Sequence, residues 1–187
     1  MKRAILIVFL LMLAGNAFAT AQFPDELIYQ EKRFPIFSNP LESYFTRDNP
    51  RPRDLFPSSC TACWRGYVAT WTIKDGFLHL LKLVEGTCSA DAPEISLAKI
   101  FPGQERPIKA TWFSGTLKIP QGKQLRYVHM GYGSVYEKEW VLEFEKGKLT
   151  REYKVDNTQK RLPSEEEKSR EELEKLRTWE EKSKKGR

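Results

Sequence analysis

The stretch from Cys63 to Cys88, CWRGYVATWTIKDGFLHLLKLVEGTC, decides the fold of this chain. Asp75-Gly76 lies at its centre, and this dipeptide is a strong signal for a two-residue type I′ turn. The residues on both sides of the turn are mostly β-branched, aromatic or aliphatic, which is typical of strands. The sequence therefore predicts one long β-hairpin.

The turn also fixes which residues face each other across the hairpin. Ile73 faces Leu78, and Cys63 faces Cys88 at a non-hydrogen-bonded position. Facing Cα atoms at such a position are about 4.5 Å apart, and a disulfide accepts roughly 4.4–6.8 Å. The sequence therefore predicts a disulfide between Cys63 and Cys88. A bulge near either end of the hairpin would shift this register by one residue.

The third cysteine, Cys60, forms a C-x-x-C motif with Cys63. Redox motifs of this kind usually open a helix, whereas here a strand-like run follows the motif. A zinc site needs further ligands, and His79 lies about 30 Å from Cys88 along an extended strand. We therefore expect a structural disulfide, with no metal and no cofactor. A redox dithiol and a metal site are the alternatives, and Cys60 could replace Cys63 as the partner of Cys88 or pair between chains.

Both faces of the predicted hairpin are apolar. One face carries Tyr67, Ala69, Trp71, Ile73, Leu78, Leu80 and Val84, and the other carries Trp64, Val68, Phe77, Leu81 and Leu83. Strands that are apolar on both sides lie in the middle of a sandwich or in a covered barrel wall. Core packing explains these side chains better than a ligand cavity does.

Further strands are predicted on both sides of this hairpin, separated from it by proline-rich loops at residues 46–59 and 89–107. Residues 26–30 and 33–37 read as short strands, the second an edge strand because Pro35 lacks an N–H donor. A second hairpin is predicted over 108–130 with its turn at Pro120-Gln121-Gly122, so that Leu117 faces Leu125. A third hairpin is predicted over 140–155, turning at Lys146-Gly147, with Phe144 facing Leu149 and Trp140 facing Tyr153. The predicted fold is mainly β, a small antiparallel barrel or sandwich.

The loop at residues 129–136 has the composition of a binding site. Its two glycines permit close backbone approach, but the spacing of a phosphate-binding loop is missing. A nucleophile pair of Ser134 and His129 has no evident orienting acid, so no catalytic residue is predicted. The candidate binding residues are His129, Tyr132, Ser134 and Tyr136. The alternative is a glycine-bent connection with flanking tyrosines.

The two ends of the chain differ from its middle. Residues 1–21 read as a signal peptide, with Lys2 and Arg3 before an apolar run and cleavage near Ala19 or Ala21. No later stretch reaches the roughly 20 apolar residues of a transmembrane helix, so we expect a periplasmic or secreted protein. Residues 163–187 predict a charged C-terminal α-helix, which begins with Ser164 as its N-cap.

Charge and motifs limit the function of the predicted domain, residues 22–162. The formal net charge of the chain is +6, and it falls to +4 without Lys2 and Arg3. This excess is spread over the β region without a cluster of Lys and Arg, which argues against nucleic-acid binding. We expect an exported, non-catalytic binding or interaction module for an unknown protein or small molecule. The alternatives are a thiol-dependent or hydrolytic periplasmic enzyme and a structural protein of the envelope.

Overall fold

The computed structural model describes residues 22–56, 60–128, 132–159, 167, 170, 173–175 and 177–179. The chain divides into two compact units, Met1–Asn157 and Thr158–Arg187, and each is described by itself. The predicted signal peptide and His129 lie outside the described residues. Within the described part of the chain, no helix has the length and apolar character needed to cross a membrane.

The first unit is mainly β, as predicted, and its described residues form nine strands. They are β1 (Asp25–Tyr29), β2 (Lys32–Ile36), β3 (Tyr67–Lys74), β4 (Phe77–Glu85), β5 (Glu94–Ile95), β6 (Ile108–Lys109), β7 (Gly115–Arg126), β8 (Val135–Glu145) and β9 (Lys148–Asp156). The strand order is β2-β1-β3-β4-β9-β8-β7, and β5 and β6 also pair with β4. Every pair is antiparallel except β1–β3, which is parallel. The strand that contains Pro35 lies at an end of this order, as predicted for an edge strand.

The central hairpin forms around the predicted turn. Asp75 and Gly76 have φ values of 52° and 73°, as a type I′ turn requires. Ile73 faces Leu78, also as predicted, but the register shifts by one residue between Thr70 and Trp71. The shift is a β-bulge, and beyond it each residue of β3 faces a residue one position later than the turn alone implies.

This bulge exchanges the faces of the residues at the end of β4. Leu83 now faces Ala69 and is wholly buried, whereas Val84 faces Val68. The predicted grouping of Val84 with Tyr67, and of Leu83 with the opposite face, is therefore wrong. A shift of one residue moves a side chain to the other side of a sheet.

The disulfide joins Cys60 to Cys88, with their Cα atoms 6.0 Å apart, and Cys63 is a buried free thiol. The predicted bridge between Cys63 and Cys88 is therefore wrong, and the alternative with Cys60 as the partner is confirmed. The hairpin ends at Tyr67, and Cys63 belongs to a 3₁₀ turn, Thr61–Cys63. Gly66 lies between this turn and β3, and it has a φ of 73°. The position also requires a glycine because an added Cβ would lie 2.6 Å from the carbonyl oxygen of Phe56.

The second predicted hairpin does not form. β7 runs through Pro120-Gln121-Gly122 and pairs with β8, so Leu117 faces Leu142 and not Leu125. The register is irregular after Gln121, where Gly122 has a φ of 76° and the Lys123 N–H donates to the Glu137 carboxylate over 3.0 Å. The glycine signal thus marks a bulge inside a strand.

The third hairpin forms with its turn at Lys146-Gly147, where φ is 46° and 77°. Phe144 faces Leu149 as predicted, but a register shift between Glu143 and Phe144 follows. Trp140 therefore faces Lys154, and the predicted pairing with Tyr153 is wrong.

The inner faces of these strands and residues of the 3₁₀ turns and loops between them form one hydrophobic core. Its largest fully buried apolar side chains are Trp71, Tyr67, Phe101, Leu27, Ile36, Leu41, Leu78, Leu80, Leu83, Leu97 and Ile108. The outer face of β1 to β4 remains available for a surface cavity.

In the second unit, Thr158 and Gln159 form a turn, and the described residues from 167 to 179 are helical. The Thr178 hydroxyl donates to the carbonyl oxygen of Glu174 over 2.8 Å, one helical turn earlier. The predicted helix extends beyond these residues to 163–187, where it remains a prediction.

Candidate functional site

A buried carboxylate, Asp25 at the start of β1, organises one end of the sheet. Its Oδ1 accepts hydrogen bonds from Arg65 Nη2 at 2.9 Å and from the Ala69 N–H at 3.1 Å. Its Oδ2 accepts the indole N–H of Trp71 at 3.0 Å. Both carboxylate oxygens are therefore satisfied, as burial of a charged group demands.

Asp25 and Arg65 form an ion pair whose side chains are both 0% exposed. Burial raises the pKa of the Asp25 carboxyl, and Arg65 opposes that shift. Burial is the largest single influence on Arg65 and lowers the pKa of its guanidinium, but Asp25 and the smaller effects of its other neighbours together outweigh burial and raise this pKa. Each partner of such a pair depends on the other, because removal of one leaves an uncompensated group in the interior.

Arg65 also connects this pair to the loop that sequence analysis selected. Its Nη1 donates to the Tyr132 hydroxyl oxygen at 3.0 Å. The hydroxyl proton can be donated to the carbonyl of Phe23 at 2.9 Å or to Asn39 Oδ1 at 3.0 Å. Burial raises the pKa of Tyr132 to about 12, so the hydroxyl stays protonated at neutral pH. The hydroxyl thus anchors the loop, and the ring is the part of Tyr132 that borders the surface.

Three of the four predicted binding residues, Tyr132, Ser134 and Tyr136, line one cleft of about 150 Å³. Phe37, which sequence analysis did not select, stacks on Tyr132 with ring centroids 5.2 Å apart and lies 5.6 Å from Tyr136. The Ser134 hydroxyl accepts the N–H of Val128 at 3.1 Å and so holds the loop. The other residues that line this cleft are Lys118, Pro120, Gly133, Val135 and Glu139.

A larger cavity of about 320 Å³ lies on the outer side of β1 to β4, and sequence analysis missed it. Most of its walls are apolar. The residues that line it are Phe23, Pro24, Glu26, Arg33, Phe34, Pro35, Cys63, Val68, Val84, Glu85, Cys88, Ser89 and Ala92.

Local features of the chain explain why this cavity forms. The bulge in the central hairpin places Val84 opposite Val68 on the outer face. The disulfide fixes Cys88, at one side of the cavity, to Cys60. On another side, the Phe23 N–H donates to the carbonyl of Ala62 over 2.7 Å, which holds Phe23 beside the 3₁₀ turn.

Cys63 has the properties of a structural thiol. Its Sγ donates to the carbonyl oxygen of Tyr67 at 3.1 Å, and burial raises the pKa of the thiol. An added Cβ on Gly86 would lie 2.7 Å from this sulfur, so the glycine makes room for it. A protonated, buried thiol is a poor nucleophile, because the thiolate is the reactive form.

Three charged residues line the large cavity, but one of them, Glu85, faces the buried Tyr67 across the hairpin and not Val68. Glu26 and Arg33 form an exposed ion pair at 3.0 Å. Glu85 makes no ion pair with any residue that the structure describes. Across the same described ranges, no group of three or more His, Cys, Asp or Glu residues is placed to hold a metal ion.

The sequence held one signal for this cavity. The central hairpin has a second apolar face in the sequence, but core packing accounts for that face equally well. The bulge that brings Val84 to that face left no glycine or proline signal near Thr70.

Comparison of the chain with protein-family models, with curated proteins and with solved structures found no match.

Proposed function

We propose that this protein is an exported, non-catalytic binding module whose ligand is a small, largely apolar molecule. The observation that carries the proposal is the cavity bordered by Phe23, Val68, Val84 and Cys88. Its volume of about 320 Å³ falls at the lower end of the roughly 300–1,000 Å³ of small-molecule sites. Predominantly apolar walls with a few polar groups are also typical of such sites.

The export in this proposal is supported by two features. One is the predicted signal peptide at residues 1–21, and the other is the disulfide between Cys60 and Cys88. Disulfides form and persist in oxidising compartments such as the periplasm and the extracellular space.

We also propose that the sheet curls toward a barrel. The Phe37 N–H, just after β2, donates to the carbonyl of Lys118 in β7 over 2.9 Å, and these strands are the two ends of the strand order. Tyr29 of β1 also packs on Trp140 of β8 with ring centroids 5.4 Å apart. Curling of this kind would protect both edges of the sheet.

A second candidate binding site is the cleft at residues 132–136. It is favoured by the aromatic side chains of Phe37, Tyr132 and Tyr136, which lie next to one another along it. Its volume of about 150 Å³ is half that of the large cavity and suits only a small group, such as one side chain of a peptide.

The test of the proposal is to fill the large cavity with a side chain. Ala92 borders the cavity, whereas Ala90 is exposed and does not. Hexan-1-ol is titrated into the ¹⁵N-labelled, oxidised protein, purified after expression of the full-length sequence, and amide shifts are followed by NMR. We expect saturable shifts around Val68 and Val84 that Ala92→Trp abolishes and Ala90→Trp retains. Shifts that are equal in both variants would refute binding in this cavity.

A further inference from the structure

We infer that the outer edge of β9 is an interaction surface and that its partner is β9 of a second copy of this chain. The two strands pair antiparallel about a two-fold axis, as two identical surfaces do in a symmetric dimer. The inference does not depend on the large cavity or on its ligand. It rests on three observations, which are the open edge of β9, the extent of that edge and the order of charges along it.

The edge of β9 that faces away from β8 separates from β4 near the start of the strand. β4 pairs with β9 at one position, Lys148, and the Leu149 N–H donates to the carbonyl of Gly76 over 2.8 Å. Gly76 belongs to the turn before β4, so β9 extends past the tip of the central hairpin. From Thr150 to the end of β9 at Asp156, β8 is the only strand of the described residues that pairs with it. Such an edge offers backbone N–H and C=O groups to another strand.

The extent of the open edge sets a register for two copies. Side chains from Thr150 to Asp156 are exposed or half-buried, and this stretch is centred on Tyr153. If two such stretches overlap completely along antiparallel strands, Tyr153 faces Tyr153 of the partner subunit. Complete overlap gives the longest pairing that the two edges allow, and aromatic pairs at facing positions add to the stability of a sheet.

The charges along the edge favour the same register. Trp140 of β8 faces Lys154, and its indole N–H donates to the Glu152 carboxylate over 3.0 Å, so both charged side chains lie on one face of β9. In the register centred on Tyr153, Glu152 faces Lys154 of the partner subunit, and the two-fold axis repeats this pair. Opposite charges that face each other across two strands stabilise the pairing.

The two neighbouring registers are unfavourable. Hydrogen-bonded and non-hydrogen-bonded positions alternate along antiparallel strands, so the axis between two identical edges passes through a residue position and not between two positions. A centre at Glu152 would place two glutamates opposite each other, and a centre at Lys154 would place two lysines opposite each other. Like charges at facing positions are destabilising. The extent of the edge and its charges therefore both select Tyr153 as the centre.

The first experiment measures the mass of the protein in solution. The full-length sequence is expressed, and the purified, oxidised protein is sedimented at low salt over concentrations from about 10 µM to about 1 mM, a range suited to a small interface. We expect a monomer–dimer equilibrium. Lys154→Glu should raise the dissociation constant of the dimer by at least about tenfold, because two facing pairs of opposite charge become pairs of like charge. Lys99→Glu, the same change at an exposed residue outside β9, should leave it unchanged.

A mixture of two variants tests the facing pairs directly. Glu152→Lys alone should also dissociate the dimer, since positive charges would then face each other. When Glu152→Lys is mixed with Lys154→Glu, opposite charges face each other again, and we expect a mixed dimer. If both variants are folded by circular dichroism and the mixture does not associate, the inference is wrong. If Glu152→Lys does not fold, the register is decided by cross-linking.

Cross-linking tests the centre of symmetry independently of charge. Facing Cα atoms lie about 4.5–5.5 Å apart, which suits a disulfide, so Tyr153→Cys should give a covalent dimer under mild oxidation. Arg151 lies four positions from its counterpart in this register, about 14 Å along extended strands, so Arg151→Cys should give none. Peptide mapping without reduction identifies the bond. Equal cross-linking of the two variants, or a wild-type protein that stays monomeric at the highest concentration, would overturn the inference.

Discussion

Asp25 and Glu26 are neighbours in the chain, and each forms an ion pair with an arginine, but in opposite environments. Asp25 lies 2.9 Å from Arg65, and both side chains are 0% exposed. Glu26 lies 3.0 Å from Arg33, and these side chains are 45% and 68% exposed. From the distance alone, the two pairs would be expected to contribute equally to stability. Burial separates them, because water screens the second pair and is excluded from the first.

The two pairs also differ in what surrounds them. The buried pair is connected through Tyr132 to the cleft at residues 132–136. The exposed pair borders the large cavity. One candidate site is thus supported by a rigid internal network, whereas the other presents a charge pair that a ligand can approach.

The largest fall in the free energy of unfolding is expected when the buried carboxylate is removed. Asp25→Ala leaves the Arg65 guanidinium uncompensated and the Trp71 indole N–H without its acceptor. We expect the free energy of unfolding to fall by about 3–5 kcal/mol, as for other broken buried ion pairs. This fall is measured by urea unfolding, with tryptophan fluorescence as the probe. A loss below about 1 kcal/mol would mean that the two pairs are energetically alike, and the comparison would fail.

The second-largest fall in the free energy of unfolding is expected when the disulfide that fixes Cys88 beside the cavity is lost. Cys60→Ser should lower the free energy of unfolding by about 3 kcal/mol, the usual contribution of a bridge that closes a loop of this size. Cys63→Ser is the matched control, and it should retain the bridge. Alkylation under denaturing, non-reducing conditions and mass spectrometry should find no reactive thiol in Cys63→Ser and two in Cys60→Ser. Two reactive thiols in Cys63→Ser would restore the pairing first predicted from the hairpin register.

A smaller effect is expected at the connection between the buried pair and the cleft. Tyr132→Phe removes the hydroxyl that accepts from Arg65 and donates to Phe23 or Asn39. Loss of one partner from a buried hydrogen-bond network costs about 1–3 kcal/mol, and we expect the lower half of that range in urea unfolding. Tyr136→Phe is the control, since within the described ranges its hydroxyl makes one exposed contact, of 3.4 Å, to Gln124. Equal losses in the two variants would show that the cleft is not anchored through Tyr132.

The smallest effect is expected for the exposed pair. Glu26→Gln should lower the free energy of unfolding by no more than about 1 kcal/mol, the upper end for surface ion pairs. The difference from the wild type should vanish in 1 M NaCl, where the Debye length falls to about 3 Å. Unfolding measured at low and high salt tests this. A loss that persists in high salt would indicate that Glu26 is less accessible to water than its exposure implies.

Much of the fold could be predicted from the sequence, because turns are encoded locally. Asp75, Gly76 and Gly147 adopt the positive φ values that Asp and Gly tolerate best, and Lys146 adopts one beside Gly147. The first residue pairs beside each turn then face each other as predicted. Gly122 shows the limit of this logic, since its positive φ serves a bulge inside β7 and not a turn. The same local signal thus has two structural outcomes, and the neighbouring strand selects between them.

The candidate sites were predictable to different degrees. The loop with Tyr132, Ser134 and Tyr136 was selected from its composition, and these three residues do line one cleft. Its partner Phe37 comes from a distant segment, so no spacing in the loop could reveal it. The large cavity was missed because its walls come from four strands and from the segment held by the disulfide.

The sequence by itself determined the strand-rich character, the hairpin turns, the edge position of the strand with Pro35 and the presence of a disulfide. These properties depend on the conformational preferences of single residues and of neighbours along the chain. Only the tertiary structure decided the choice of Cys60 over Cys63, the exchange of Leu83 and Val84 between faces, and the burial of Asp25 with Arg65. Each of these depends on a bulge or on packing between distant segments, where a shift of one residue reverses which side chains meet.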